Sequence, residues 1–158
     1  GPGTSTWDLT RPWDGPGQPS GIVAGAFPHM PHFLRYDELA RGEVRHALFL
    51  ALANYAPGKT GYARGFDGSM ASHPLRAGER LRLPATAVEW FTPGTPERVV
   101  AQAMNVYGIT LGDRTDHSGS ATSKHGVIPA AQDPRIKTKT GWKGMGLRLA
   151  DFEVVTQP

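Results

Sequence analysis

Cysteine is missing from all 158 residues, so neither disulfides nor thiolate metal sites contribute, and a reducing or an oxidising compartment is equally open to the protein. No apolar run reaches the length of a membrane span or of a secretory leader, so no membrane span is expected. Net charge is small: 17 basic residues face 14 acidic ones and leave +3. That density falls short of a nucleic-acid binder, though it permits weak attraction to acidic glycans or envelopes. There is no nucleophile elbow, no paired-histidine zinc motif and no phosphate-cradling glycine loop, and no cofactor is expected. What the chain has in quantity is punctuation. Its 20 glycines and 14 prolines exceed a fifth of all residues, which calls for many turns between short elements and for a β-rich class. The length suits one domain that buries about two thirds of the surface its unfolded chain exposes.

The most readable stretch is 34–55, LRYDELARGEVRHALFLALANY. Residues 35–41 suit a short helix, with Gly42 placed to end it in the left-handed conformation. A strand over 43–53 would then put Val44, His46, Leu48, Leu50 and Leu52 on an inward face, and Glu43, Arg45, Ala47, Phe49 and Ala51 on the other. His46 on the apolar face reads either as a core histidine bonded to nearby backbone or as a site residue. Glu43 and Arg45 read as a solvated pair, or as polar handles if the second face is a ligand groove.

Around this centre the rest falls into order. Residues 1–25 form an extended Gly/Pro/Trp arm, with GPG at 1–3 and again at 15–17. It reads as a scar followed by a linker, or as the end of a stalk. Trp7 and Trp13 are the expected anchors that pack it down, with sugar-stacking platforms as the other reading. With no initial methionine, the chain is expected to be a processed or excised piece, or to carry a tag scar. Residues 26–158 form the single β-rich domain. His29 and His32 stand three apart between prolines, but no third ligand follows and no metal site is expected. Residues 56–78 read as a long irregular loop in which Tyr62, Arg64, Phe66 and Asp67 mix the aromatic and charged groups of a polar-ligand site; a plain crossover is the alternative.

Residues 79–83 read as a strand with Leu81 and Leu83 inward. The clearest helix follows: Thr95 as N-cap, Pro96 first in the helix, Glu97 near its positive end, an apolar stripe of Val99, Val100, Ala103, Met104 and Tyr107, and Gly108 as the stop. A short strand at 109–111 leads to Asp113, and another at 151–155 closes the sheet. Between them, 112–146 is polar and glycine-rich. Asp113, Asp116, His117 and His125 supply carboxylate and imidazole for acid–base work or are ordinary loop composition. Arg135, Lys137, Lys139 and Lys143 surround Trp142, a basic patch for an acidic sugar or phosphate or a solvated face.

RYDE at 35–38, GE-RHAL over 42–48, AMNVYGITLGD at 103–113 and DFEVV at 151–155 resemble blocks of a family of mostly uncharacterised proteins. Its members occur in soil bacteria and fungi and are mostly secreted, and related modules appear in tail proteins of phages that infect actinobacteria. The resemblance spans residues 26–155. Two departures stand out: the family's portion before the Arg35 block, with its acidic and histidine residues, is largely missing, and GYARGFDGSM at 61–70 replaces a run of aromatic, proline, alanine, arginine and histidine.

The expected fold is a β-rich, jelly-roll-like sandwich with one or two short helices, and α+β is the alternative. The first functional expectation is a module that recognises polysaccharide or bacterial cell-surface glycan, such as the end domain of a phage tail or fibre protein, extracellular or on a virion. Its ligand-binding residues would be Tyr62, Arg64, Phe66, Asp67, Trp142 and Lys143. The second is a glycan-cleaving hydrolase or lyase with His46, Asp113, His117 and Glu43 as acid and base. The third is an assembly domain whose N-terminal arm docks on a neighbouring chain or a second copy.

Overall fold

The structure, a computed structural model, describes residues 6–8, 10–12, 23–28, 30–115, 136 and 145–155. The ordered elements are α1 (Tyr36–Arg41), β1 (Leu48–Leu52), β2 (Arg80–Arg82), α2 (Ala85–Val88), α3 (Pro96–Val106), β3 (Ile109–Arg114) and β4 (Glu153–Val155).

Local chemistry explains the helices. At α1, Glu38 reaches back so that its Oε2 accepts from the Arg35 backbone N–H at 3.0 Å, and Gly42 ends the helix at φ 78°. In α3 the Thr95 hydroxyl accepts from the Arg98 N–H, and Gly108 at φ 80° receives the chain as it leaves. The apolar stripe is buried at Val99, Val100, Ala103 and Met104. Helix α2, four residues long, has no counterpart in the sequence reading.

The four strands form one mixed sheet in the order β1-β3-β2-β4. β1 and β3 run parallel, Leu48 beside Ile109, and β2 is antiparallel to both β3 and β4. This is an α+β arrangement, not the jelly-roll-like sandwich expected first: among the described residues there is no second sheet facing this one. The reason lies in LFLAL. All five residues of β1 are buried, a continuous apolar run of the kind that parallel strands carry because both their faces are covered. A parallel partner also needs a crossover long enough to carry the chain back, and the segment holding α2 and α3 supplies it.

The expected strand over 43–53 is shorter than its alternation implied. Residues 43–47 carry no strand structure, and His46 precedes β1. Leu48, Leu50 and Leu52 join the main core with Leu81, Ile109, Leu111 and the α3 stripe. Phe49 and Ala51 point the other way, into a smaller cluster with Phe27, Val23 and Phe33, where the Phe27 and Phe49 ring centroids stand 5.7 Å apart. A bulge between Leu50 and Ala51 leaves Gly112 as the extra residue on β3. A Cβ there would lie 2.6 Å from the Phe27 ring, so glycine lets the two phenylalanines close over the sheet.

Candidate functional site

The carboxyl ends of β1 and β3 lie side by side, and polar side chains gather just beyond them. Asn54 and Tyr55 follow β1 after Ala53; Asp113 and Arg114 end β3. Open sheets present ligand-facing residues at such ends because the loops that leave parallel strands converge there. Tyr55 is wholly buried. Its hydroxyl donates to Asp67 Oδ1 at 2.6 Å and accepts from the Asp67 N–H at 3.2 Å. Burial, together with that donation, pushes the Tyr55 hydroxyl well above the ordinary phenol range. Asn54 repeats the arrangement two residues on: its Oδ1 accepts from the Ser69 N–H at 3.0 Å, and its Nδ2 donates to Ser69 Oγ at 3.0 Å. Arg114 reaches in from β3, donating to Ser69 Oγ at 3.0 Å and standing 3.6 Å from Asp67 Oδ2.

The segment after Tyr55 is therefore tied down at several points. Its arms lie together where Lys59 bridges Ala77 and the Thr60 N–H donates to Ala77 O at 2.8 Å. Its middle is fastened to Gly25, whose carbonyl accepts from the Arg64 N–H at 2.8 Å, while the Gly25 N–H donates to Gly112 O at 2.7 Å. Tyr62 and Phe66 stay 50% and 48% exposed on this fixed backbone. Of the four loop residues singled out in the sequence, Tyr62 and Phe66 face solvent, Arg64 is half-buried and Asp67 turns inward as part of the scaffold.

The acid–base candidates are dispersed. His46 lies before β1, with Nδ1 2.8 Å from Ala47 O and Nε2 2.9 Å from Glu38 Oε1. Both ring nitrogens thus face protein acceptors. Glu38, buried to 3% side-chain exposure, also accepts from Arg35 at 2.5 Å. Asp113 pairs across from Ala51 near the far end of β1, whereas His46 lies before the strand's first residue, Leu48. Glu43 is exposed and paired with Arg45 at 2.8 Å, and that hydrogen bond holds its carboxyl below the usual range. His117, Trp142 and Lys143 lie outside the described residues, as does Trp13, while Trp7 is half-buried.

No group of three or more potential ligands for a metal ion occurs among the described residues. His32, one of the two expected non-ligands, has Nδ1 3.0 Å from Pro28 O. A separate open groove of about 350 Å³ runs between the end of α1 and the start of α3, and none of the candidate catalytic or ligand-binding residues borders it. Its two guanidiniums are already engaged, Arg41 with Asp37 and Arg98 with Glu89, each at 2.7 Å. Among the described residues no helix is long and apolar enough to cross a membrane. No family model, no curated protein and no solved structure matches the chain.

Sequence reasoning missed Asn54, Tyr55, Ser69 and Arg114. A signal was present for the first two, since polar residues just after a fully apolar strand are candidates for the ligand-facing end. None existed for Ser69 or Arg114.

One titration follows from the same loop. His73 Nδ1 accepts from the Leu75 N–H at 3.2 Å, and burial lowers the ring's pKa below its usual 6.5. The unfolded chain then takes up the proton first as pH falls. Stability linked to His73 is complete above about pH 6.5 and declines as pH drops through the lowered value. In urea titrations at pH 7.5 and at pH 5, His73→Gln should show a smaller loss between the two than the parent protein. An identical loss would mean that the ring is not buried as described.

Proposed function

We propose that this domain is a glycan-recognition module whose contact surface is the 56–79 segment, with Tyr62 and Phe66 stacking on sugar rings. The observation that carries the reading is two half-exposed aromatic rings on a backbone fastened to both strand ends. Aromatic faces suit the apolar faces of pyranose rings, and each ring ordered on binding costs little rotamer freedom. A pre-fixed loop lowers the ordering cost further. The resemblance of the RYDE, GE-RHAL and DFEVV blocks extends the reading to bacterial surface glycans, and to a place at the end of a phage tail or fibre, outside the cell or on a virion. An enzymatic reading draws less support, because His46, Glu43 and Asp113 do not converge.

The test is a pull-down on insoluble bacterial envelopes and polysaccharides, with the supernatant assayed for reducing sugar. Retention without new reducing ends is expected. Tyr62→Ala and Phe66→Ala should each weaken retention by roughly five- to tenfold, the scale of one lost aromatic contact, without moving the thermal midpoint. Full retention by both variants would remove this loop as the site, and release of reducing ends would make the protein a glycan-cleaving enzyme.

A further inference from the structure

The same segment carries an uncompensated positive charge, and this narrows the ligand. Several exposed arginines elsewhere are neutralised, Arg41 by Asp37, Arg45 by Glu43 and Arg82 by Glu153, while Arg148, outside this segment, is exposed with no ion pair among the described residues. Lys59 and Arg76 differ from the first three. Both are exposed, and neither has a carboxylate within ion-pair distance among the described residues. The fold places them together, because the Lys59–Ala77 bridge runs the two arms of the segment side by side. Arg76 lies across Gly58, its Cδ 3.4 Å from where a Cβ would stand. The Lys59 ammonium is held 2.7 Å from the Arg64 carbonyl, which fixes it against the turn that bears Tyr62.

Two acidic residues belong to the same region. Asp67 is taken up by Tyr55 and Arg114. Glu79, whose backbone N–H bonds the Arg76 carbonyl, makes no ion pair with it. Two exposed cations and two exposed rings on one tied-down segment fit a chain that alternates apolar sugar faces with acid groups.

Resting on the glycan reading above, we infer that the ligand is a polyanionic glycan, whose carboxylate or phosphate groups are met by Lys59 and Arg76 while Tyr62 and Phe66 contact its rings. The two cations of this segment are fewer than the roughly six to ten phosphate contacts of a strongly salt-dependent nucleic-acid binder. Guanidinium and ammonium on sites already fixed by the backbone meet acid oxygens with little added ordering cost.

The experiment measures retention of the full chain on four immobilised probes: polygalacturonate, phosphorylated dextran, neutral dextran and oligo(dT). Retention on one or both acidic polymers is expected, with dextran at least tenfold weaker. Raising salt from about 0.05 M to about 0.5 M should cut retention several-fold, because exposed charges are screened over a shorter length. The Lys59→Gln/Arg76→Gln pair should lose about tenfold, and the charge-keeping Lys59→Arg/Arg76→Lys pair should retain most binding, which separates charge from misfolding. The two acidic probes tell carboxylate from phosphate. Equal retention on dextran, or salt-independent retention, overturns the charge inference and leaves the glycan reading standing. Preference for oligo(dT), or retention on no polysaccharide of any charge, overturns both.

Discussion

Gly78→Ala is expected to lower the stability of the domain by on the order of 4 kcal/mol. Gly78 holds φ +87°, and a Cβ placed there would overlap the Thr60 carbonyl oxygen, with the Ala63 Cβ 2.9 Å away. Two costs add. A left-handed conformation costs an L-residue about 1–2 kcal/mol, and forced overpacking typically costs about 1–3 kcal/mol more. The overlapping atom is backbone and is itself held, since the Thr60 N–H bonds Ala77 O, so it cannot swing away as a side-chain tip would. Gly94→Ala provides the control. It has φ +81° but open space around it, and only the conformational cost of about 1–2 kcal/mol applies. Urea unfolding of the two variants measures the difference. Equal losses would mean that the 58–63 arm does not approach Gly78 so closely.

Tyr55→Ala should cost about 3–5 kcal/mol, the usual range for deleting a fully buried aromatic ring. Tyr55→Phe is the more informative change. It keeps the ring and removes only the hydroxyl, which leaves Asp67 Oδ1 without its donor and the Asp67 N–H without its acceptor. A stability loss of about 1–3 kcal/mol follows. The wider consequence is mechanical. Asp67 adjoins Phe66, so releasing it loosens one end of the segment that bears the exposed rings. Hydrogen exchange over 65–70 should accelerate in Tyr55→Phe, and glycan retention should fall although Tyr55, being buried, touches no ligand. Retention at the parent level together with accelerated exchange would show that fixing the loop is unimportant for binding.

The pieces legible in the sequence were those that depend on near neighbours. Thr95, Pro96 and Gly108 announced α3, and Gly42 announced the end of α1, because caps and stops act within one turn of backbone. The stretch LFLAL alternates in the sequence as a half-buried strand would. Only its setting revealed that Phe49 and Ala51 meet a second apolar cluster while the leucines meet the first. The site was partly visible. Tyr62 and Phe66 stand out in the sequence and are exposed, Asp67 reads there as a ligand contact and lies inside the scaffold, and nothing local marks Glu38, in RYDE, as the partner of His46.

By itself the sequence determined the ends of α1 and α3, the turn-rich character and the absence of cysteine chemistry, since each is a property of residue type or of contacts a few positions apart. Tertiary structure alone decided that β1 and β3 run parallel, that their polar ends meet, and that Arg114 stands over Asp67 and Ser69. The physical reason is that the cost of closing a loop rises only slowly with its length. Sequence separation therefore says little about which distant strands pair, and the choice falls to burial on both sheet faces and to the hydrogen bonds that distant residues complete for one another.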